Sequence, residues 1–160
     1  MPKEIKIGLV VSDEGEFAPI EQYCPCDAQK ECGDWQGYRS ILLTAQEDTA
    51  TIQMRIVLCG IGLSNAAAAT AFLIADGADY ICNEGLSGAL QGLTRGELVV
   101  GDEFVQHDFD ATGLGYDKGQ ICGQPVVLPV YGDLTARYLL GEMQKDPKVV
   151  AITSGTPTVF

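Results

Sequence analysis

Short apolar runs that end in glycine-rich turns set the rhythm of this chain. Ile5 to Val11 is almost continuously apolar, which predicts a strand buried on both faces of a parallel sheet. A short helix around Glu16 to Tyr23 is expected next, then a loop from Cys24 to Gly33. Trp35 to Thr44 and Thr51 to Cys59 read as two strands of a hairpin around the polar turn Gln46-Glu47-Asp48. Gly62 to Gly77 carries the clearest helical pattern, with Ser64 or Asn65 expected to cap its start and Gly77 to end it. Tyr80 to Cys82 predicts another buried strand, followed by the glycine turn Gly85 to Gly88.

The second half is less regular. Glu97 to Gln106 predicts one long strand, and Ala111 to Gly123 an extended loop rich in glycine and polar residues. Leu134, Tyr138, Leu139 and Met143 recur at helical spacing within Asp133 to Gln144, and Val149 to Thr153 predicts a last strand before the turn Ser154 to Phe160. Strands alternating with one strong helix predict an α/β sandwich folded as a single domain over residues 1–160. Three strand ends, after Val11, Cys59 and Cys82, are expected to share one ligand crevice, because open α/β sheets bind beyond the carboxyl ends of their strands.

Composition narrows the partners. With 46% hydrophobic and 20% charged residues the chain can bury enough apolar surface to fold. A formal charge of −12, from 10 basic and 22 acidic residues, repels phosphate backbones and anionic lipid, so neither nucleic acid nor membrane is expected as a partner. No signal-peptide pattern and no apolar run of roughly 20 residues occurs, which makes the cytoplasm the expected compartment. Cys59 and Cys82 fall in apolar strand patterns and read as core. Cys24, Cys26 and Cys32 cluster but need a fourth ligand to hold a metal; the alternative is a loop of free thiols, and no metal is expected.

The candidate chemistry lies at the strand ends. Asp13, Glu14 and Glu16 open a helix, where the macrodipole favours carboxylates, and this alone accounts for two of the three. Glu16 is the candidate general base for a hydrolase. The Gly85 to Gly88 turn lacks the spacing and the acidic partner of a dinucleotide fingerprint, so neither NAD nor any other cofactor is expected. His107, beside Asp108 and Asp110, is the sole histidine, and a structural hydrogen bond is the simpler reading of it.

Lys6 to Val11 with Glu16, Cys59-Gly60-Ile61-Gly62 with Asn65-Ala66-Ala67, Asn83 to Leu90 and Gly96 to Asp102 together resemble the purine nucleoside phosphorylase and nucleosidase superfamily. His107 to Tyr116 and Gly119 to Gly123 extend the resemblance along nearly the whole chain. The nearest branch is similar to the 5′-methylthioadenosine/S-adenosylhomocysteine nucleosidases. That resemblance implies a three-layer phosphorylase/hydrolase-like sandwich around a mixed, largely parallel sheet, and hydrolysis of the N-glycosidic bond of a 5′-thio-substituted adenosine. It implies that Glu16 activates the water, that Ile61, Leu86, Ser87 and Gly88 line the ribose and base pocket, and that Val159 meets the purine. It also implies a homodimer in which Ala111, Leu114 and Tyr116 reach the neighbouring subunit's site.

The chain departs from the family pattern at Glu84, Leu86 and Thr156-Pro157-Thr158. The family's ribose-gripping glutamate and purine-protonating aspartate fall after Phe160, so a C-terminally truncated domain with impaired turnover is expected. Water is the predicted nucleophile, because phosphate calls for an arginine, Arg95 is the nearest, and Glu84 would repel the dianion. The alternatives are a phosphate-dependent phosphorylase and a non-catalytic domain that keeps the fold and the dimer surface.

Overall fold

The computed structural model describes residues 3–23, 29–89, 92–101, 103–130 and 149–152. Two compact units divide the chain, Met1–Leu86 and Ser87–Phe160. The first unit holds strands β1 (Lys3–Val11), β2 (Gln29–Trp35), β3 (Tyr38–Gln46), β4 (Ala50–Leu58) and β5 (Tyr80–Glu84), with helices α1 (Glu14–Tyr23) and α2 (Leu63–Ala75). Its sheet runs β2-β3-β4-β1-β5. β1 lies parallel between β4 and β5, while β2, β3 and β4 pair antiparallel. The sheet is therefore mixed, parallel where the strand ends converge and antiparallel at the flank.

Alternation along β1 and β4 separates two cores. Val10 and Val57 pack with Cys59 and with Ala69 and Leu73 of α2. Val11 and Ile56 pack with Ile41 and with Phe17 of α1. Because neighbouring residues of a strand point to opposite faces, the two helices cover opposite faces and the unit is three-layered, as the resemblance implied.

The segment from Cys24 to Gly33 is not all loop, and Trp35 to Thr44 is not one strand. β2 ends at Trp35, and Gln36 (φ 53°) with Gly37 (φ 83°) form the two-residue turn into β3, both in the positive-φ region that such hairpins require. β2 escapes sequence patterning because it is an edge strand whose side chains are exposed except for a half-buried Trp35, so no apolar alternation marks it. The Cys24–Ala28 part of that loop lies outside the described residues.

The start of α2 also differs from expectation. Gly62 is its N-cap and no side chain caps it; the Asn65 amide instead donates to the Ile61 carbonyl at 2.8 Å. The far end follows the pattern: Gly77 (φ 88°) donates to Ile74 O and Ala78 N to Leu73 O, which is a Schellman closure.

In the second unit β6 (Leu98–Gly101) pairs in parallel with β9 (Val149–Ile152), and β7 (Glu103–Phe104) pairs antiparallel with β8 (Leu128–Pro129). The single strand expected over Glu97 to Gln106 is broken. A Cβ at Gly101 would lie 2.7 Å from Phe104 Cζ, and residues three apart face opposite sides of a straight strand, so the chain must bend to bring that ring back. Ala111 to Gly123 is a loop wound by successive turns, including a 3-10 turn at Thr112–Leu114. The helix expected over Asp133 to Gln144 and the turn after Ile152 lie outside the described residues.

Candidate functional site

Glu16 sits in the first turn of α1, directly beyond the carboxyl end of β1. Asp13 is the helix N-cap: its Oδ1 accepts from Gly15 N at 2.8 Å, while its own N–H donates to Glu16 Oε2 at 3.2 Å. The two residues form a capping box, and the spacing Asp13-x-x-Glu16 was readable in the sequence. Ser12 Oγ adds a donor to Oε2 at 3.2 Å. The other carboxylate oxygen faces β5, where Oε1 accepts from Leu86 N at 2.6 Å. Donors from two strand ends, one of them 70 residues along the chain from Glu16, thus hold one half-buried carboxylate.

That approach requires glycine at position 85. A Cβ there would lie 2.9 Å from Glu16 Oε1 and 3.2 Å from Cδ, so any side chain would push the carboxylate off the Leu86 amide. Glu84 precedes this glycine and is in register with Val11 on β1. Partial burial, and then the charge of Glu16, push the Glu84 carboxyl above its ordinary value. Cys59, at the end of β4, is buried; that burial raises its thiol, and the Glu16 charge adds to the rise. Its Sγ donates to Gly60 O at 3.1 Å. Such a thiol is poorly suited to act as a nucleophile.

The arrangement brings together the Glu16 carboxylate and the main chain at Leu86, and it recruits Ser12, which sequence reasoning had passed over. Ile61 stands on the turn after β4 and is 74% exposed; the Leu86 side chain is 92% exposed beside the carboxylate's donor. Ser87 and Gly88 follow Leu86 in the chain and open the second unit, where both are exposed. Val159 lies outside the described residues.

Within the second unit, Ala111 is buried whereas Leu114 is 76% exposed and Tyr116 is half-buried. Asp110 fixes this loop by accepting from Thr112 N at 3.0 Å and Thr112 Oγ1 at 2.7 Å. Those two bonds hold its carboxyl below the usual range. His107 sits in the turn that follows β7.

Cys32 is exposed on β2, and Cys24 and Cys26 lie outside the described residues, among which no group of metal-ligating side chains assembles. A cavity of about 30 Å³, lined by Lys6, Gln53, Arg55 and Asp76 among others, lies against the middle of β1 and β4. It has room for a water or two and is too small for a nucleoside. No described helix is long and apolar enough to cross a membrane.

The phosphorylase superfamily sequence profile matches residues 6–157. The chain belongs to that superfamily. Among its relatives, the 5′-methylthioadenosine/S-adenosylhomocysteine nucleosidase of Aeromonas salmonicida is 31% identical over 134 residues, covering 82% of this chain and 55% of the relative. The enzyme of the same name from Staphylococcus carnosus is 36% identical over 104 residues, 62% of this chain and 46% of the relative. The chain thus spans about half the length of the curated relatives it matches. The nucleosidase structure from Neisseria meningitidis, in complex with methylthio-immucillin-A, superposes with a TM-score of 0.76 at 26% identity, over 91% of this chain and 61% of that one. The nucleosidase from Colwellia psychrerythraea, in complex with adenine, gives 0.74 at 31% identity, over 93% and 60%. These superpositions share the α/β fold described above.

Proposed function

We infer that the chain carries the water-activating half of a nucleosidase site, for hydrolysis of the N-glycosidic bond of 5′-thio-substituted adenosines. The observation that carries this reading is the Glu16 carboxylate, held by Leu86 N, Asp13 N and Ser12 Oγ at the strand ends of a superfamily sheet. The names and bound ligands of the relatives supply the substrate class. In this reading Glu16 takes a proton from water as the water oxygen bonds to the anomeric carbon, the carbon–nitrogen bond to adenine breaks, and the adenine nitrogen takes up a proton from solvent. Ile61, Leu86, Ser87, Gly88 and Val159 would line the pocket. Leu114, which is strongly exposed, would reach a partner subunit's site with Ala111 and Tyr116, making the protein a homodimer. Because the profile match runs through both compact units, we read them as parts of one catalytic domain, acting in the cytoplasm on a small nucleoside without a cofactor.

In the first unit, whose strand ends carry Glu16, both arginines are already engaged, which disfavours phosphorolysis: Arg39 by Glu14 and Glu21, and Arg55 on Trp35 with its Cζ 4.9 Å from the ring centroid. The deciding experiment incubates the protein with 5′-methylthioadenosine, with and without inorganic phosphate, and follows adenine. Slow release without phosphate is the expected result. Release only with phosphate makes the protein a phosphorylase, and calorimetric binding without release makes it a non-catalytic member.

A further inference from the structure

We propose that Arg39 is a positioning residue for Glu16, locking the helix that carries this carboxylate at one rotation against the sheet. The proposal rests on the reading of Glu16 as the base. α1 is thinly anchored: Phe17 is its one fully buried side chain, and Pro19 within it lacks the N–H that would tie back to the preceding turn. Arg39 supplies a further anchor, beside the bond from Lys30 Nζ to Glu21 O and the partly buried Ile20. It projects from β3 on the face of Ile41, which packs against Phe17.

Its guanidinium meets α1 at three places. Nη1 donates to Glu14 Oε1 at 2.7 Å and Oε2 at 2.9 Å, Nη2 donates to Glu21 Oε2, and Cζ stands 5.0 Å from the centroid of the Phe17 ring. Glu14, Phe17 and Glu21 are spaced three and four residues apart, so they form one stripe along two turns of helix. A planar, five-donor group bound at both ends of that stripe resists rotation and sliding of α1, which a single ion pair would not. Glu16 is one residue from Phe17, so turning α1 about its axis carries the carboxylate off Leu86 N. A guanidinium is always charged, and Glu21 and then Glu14 strengthen the hold of Arg39 on its proton further.

The test compares the 160-residue protein with Arg39→Ala, Arg39→Lys and the double variant Glu14→Gln/Glu21→Gln. One readout is the amide proton shift and hydrogen exchange of Leu86; the other is kcat and KM for adenine release from 5′-methylthioadenosine. Arg39→Ala is expected to move the Leu86 amide proton upfield and to speed its exchange about tenfold relative to Val10 and Leu73. It should lower kcat about ten- to a hundredfold while KM changes less than about twofold, as for a misplaced reacting group. Arg39→Lys should recover part of both losses, because an ammonium can hold one glutamate but not both.

The double variant cuts the strap from the helix side and decides the matter if Arg39→Ala does not fold. An unchanged Leu86 amide in Arg39→Ala or in the double variant overturns the proposal. So does exchange that quickens equally at Leu86, Val10 and Leu73, which would mean general loosening. If the unaltered protein releases no adenine, the nucleosidase reading fails, and the Leu86 amide alone then decides whether Arg39 orients the carboxylate.

Discussion

The two helices of the first unit are held in opposite ways. α2 is apolar, buries Ala69 and Leu73 fully, closes in a Schellman turn and has no side-chain cap at its start. α1 buries only Phe17 but begins with the Asp13–Glu16 capping box and is strapped by Arg39. An apolar contact has no preferred direction, whereas a hydrogen bond does. The helix that merely covers the sheet is packed; the helix that presents the candidate base is aimed.

Five substitutions probe that contrast. Glu16→Gln should give the largest effect, a loss of adenine release of about 10²–10⁴-fold with little change in the thermal midpoint. Glutamine still serves a capping box through its single acceptor oxygen but gives up the bond from Leu86 N, so the helix start survives while proton acceptance does not. A large fall in midpoint would instead make Glu16 chiefly a structural cap.

Phe17→Ala and Leu73→Ala come next in size. Urea unfolding should show losses of about 3–5 kcal/mol for the aromatic and about 2–5 kcal/mol for the leucine. Their consequences should diverge, with Phe17→Ala weakening the Leu86 amide contact and Leu73→Ala leaving it intact. Equal disturbance of Leu86 by both would erase the distinction between the helices.

Asp13→Ala should cost about 0.5–2 kcal/mol by the same measurement, since it strips the acceptor from Gly15 N. The smallest effect is expected from Glu84→Gln, and only at higher pH. The folded protein raises this carboxyl above the ordinary value of 4.5, so the folded state holds the proton more tightly than the unfolded one. Stability is therefore lost as pH rises from that value through the raised folded value. The glutamine variant should gain on the unaltered protein near pH 7 and not at about pH 4. A gain of equal size at both values would show that the effect is not ionisation.

Legibility along the chain followed burial. β1 and β4 were readable because runs such as Ile5 to Val11 fill a sheet interior, and the end of α2 because Gly77 marks it; β5, expected to be buried, is the other edge strand with no fully buried side chain and was readable only from its short apolar run Tyr80 to Cys82. β2 was not, because an edge strand with exposed side chains carries no apolar period. The bend between β6 and β7 was missed because it depends on the Phe104 ring returning to Gly101. At the candidate site Glu16 was legible by position and its capping box by spacing, but its third donor was not. Nothing in the composition of Leu86 advertises a backbone amide.

By itself the sequence determined the α/β class, the acidic surface, the superfamily motifs and the residues that follow each strand, because these depend on local periodicity and residue type. Only the tertiary structure decided that Glu16 meets Leu86 N, that Gly85 leaves room for that meeting, and that Arg39 strides two turns of α1. Those contacts join residues 18 to 70 positions apart, and they exist because the sheet places β1 beside β5 and folds α1 over β3.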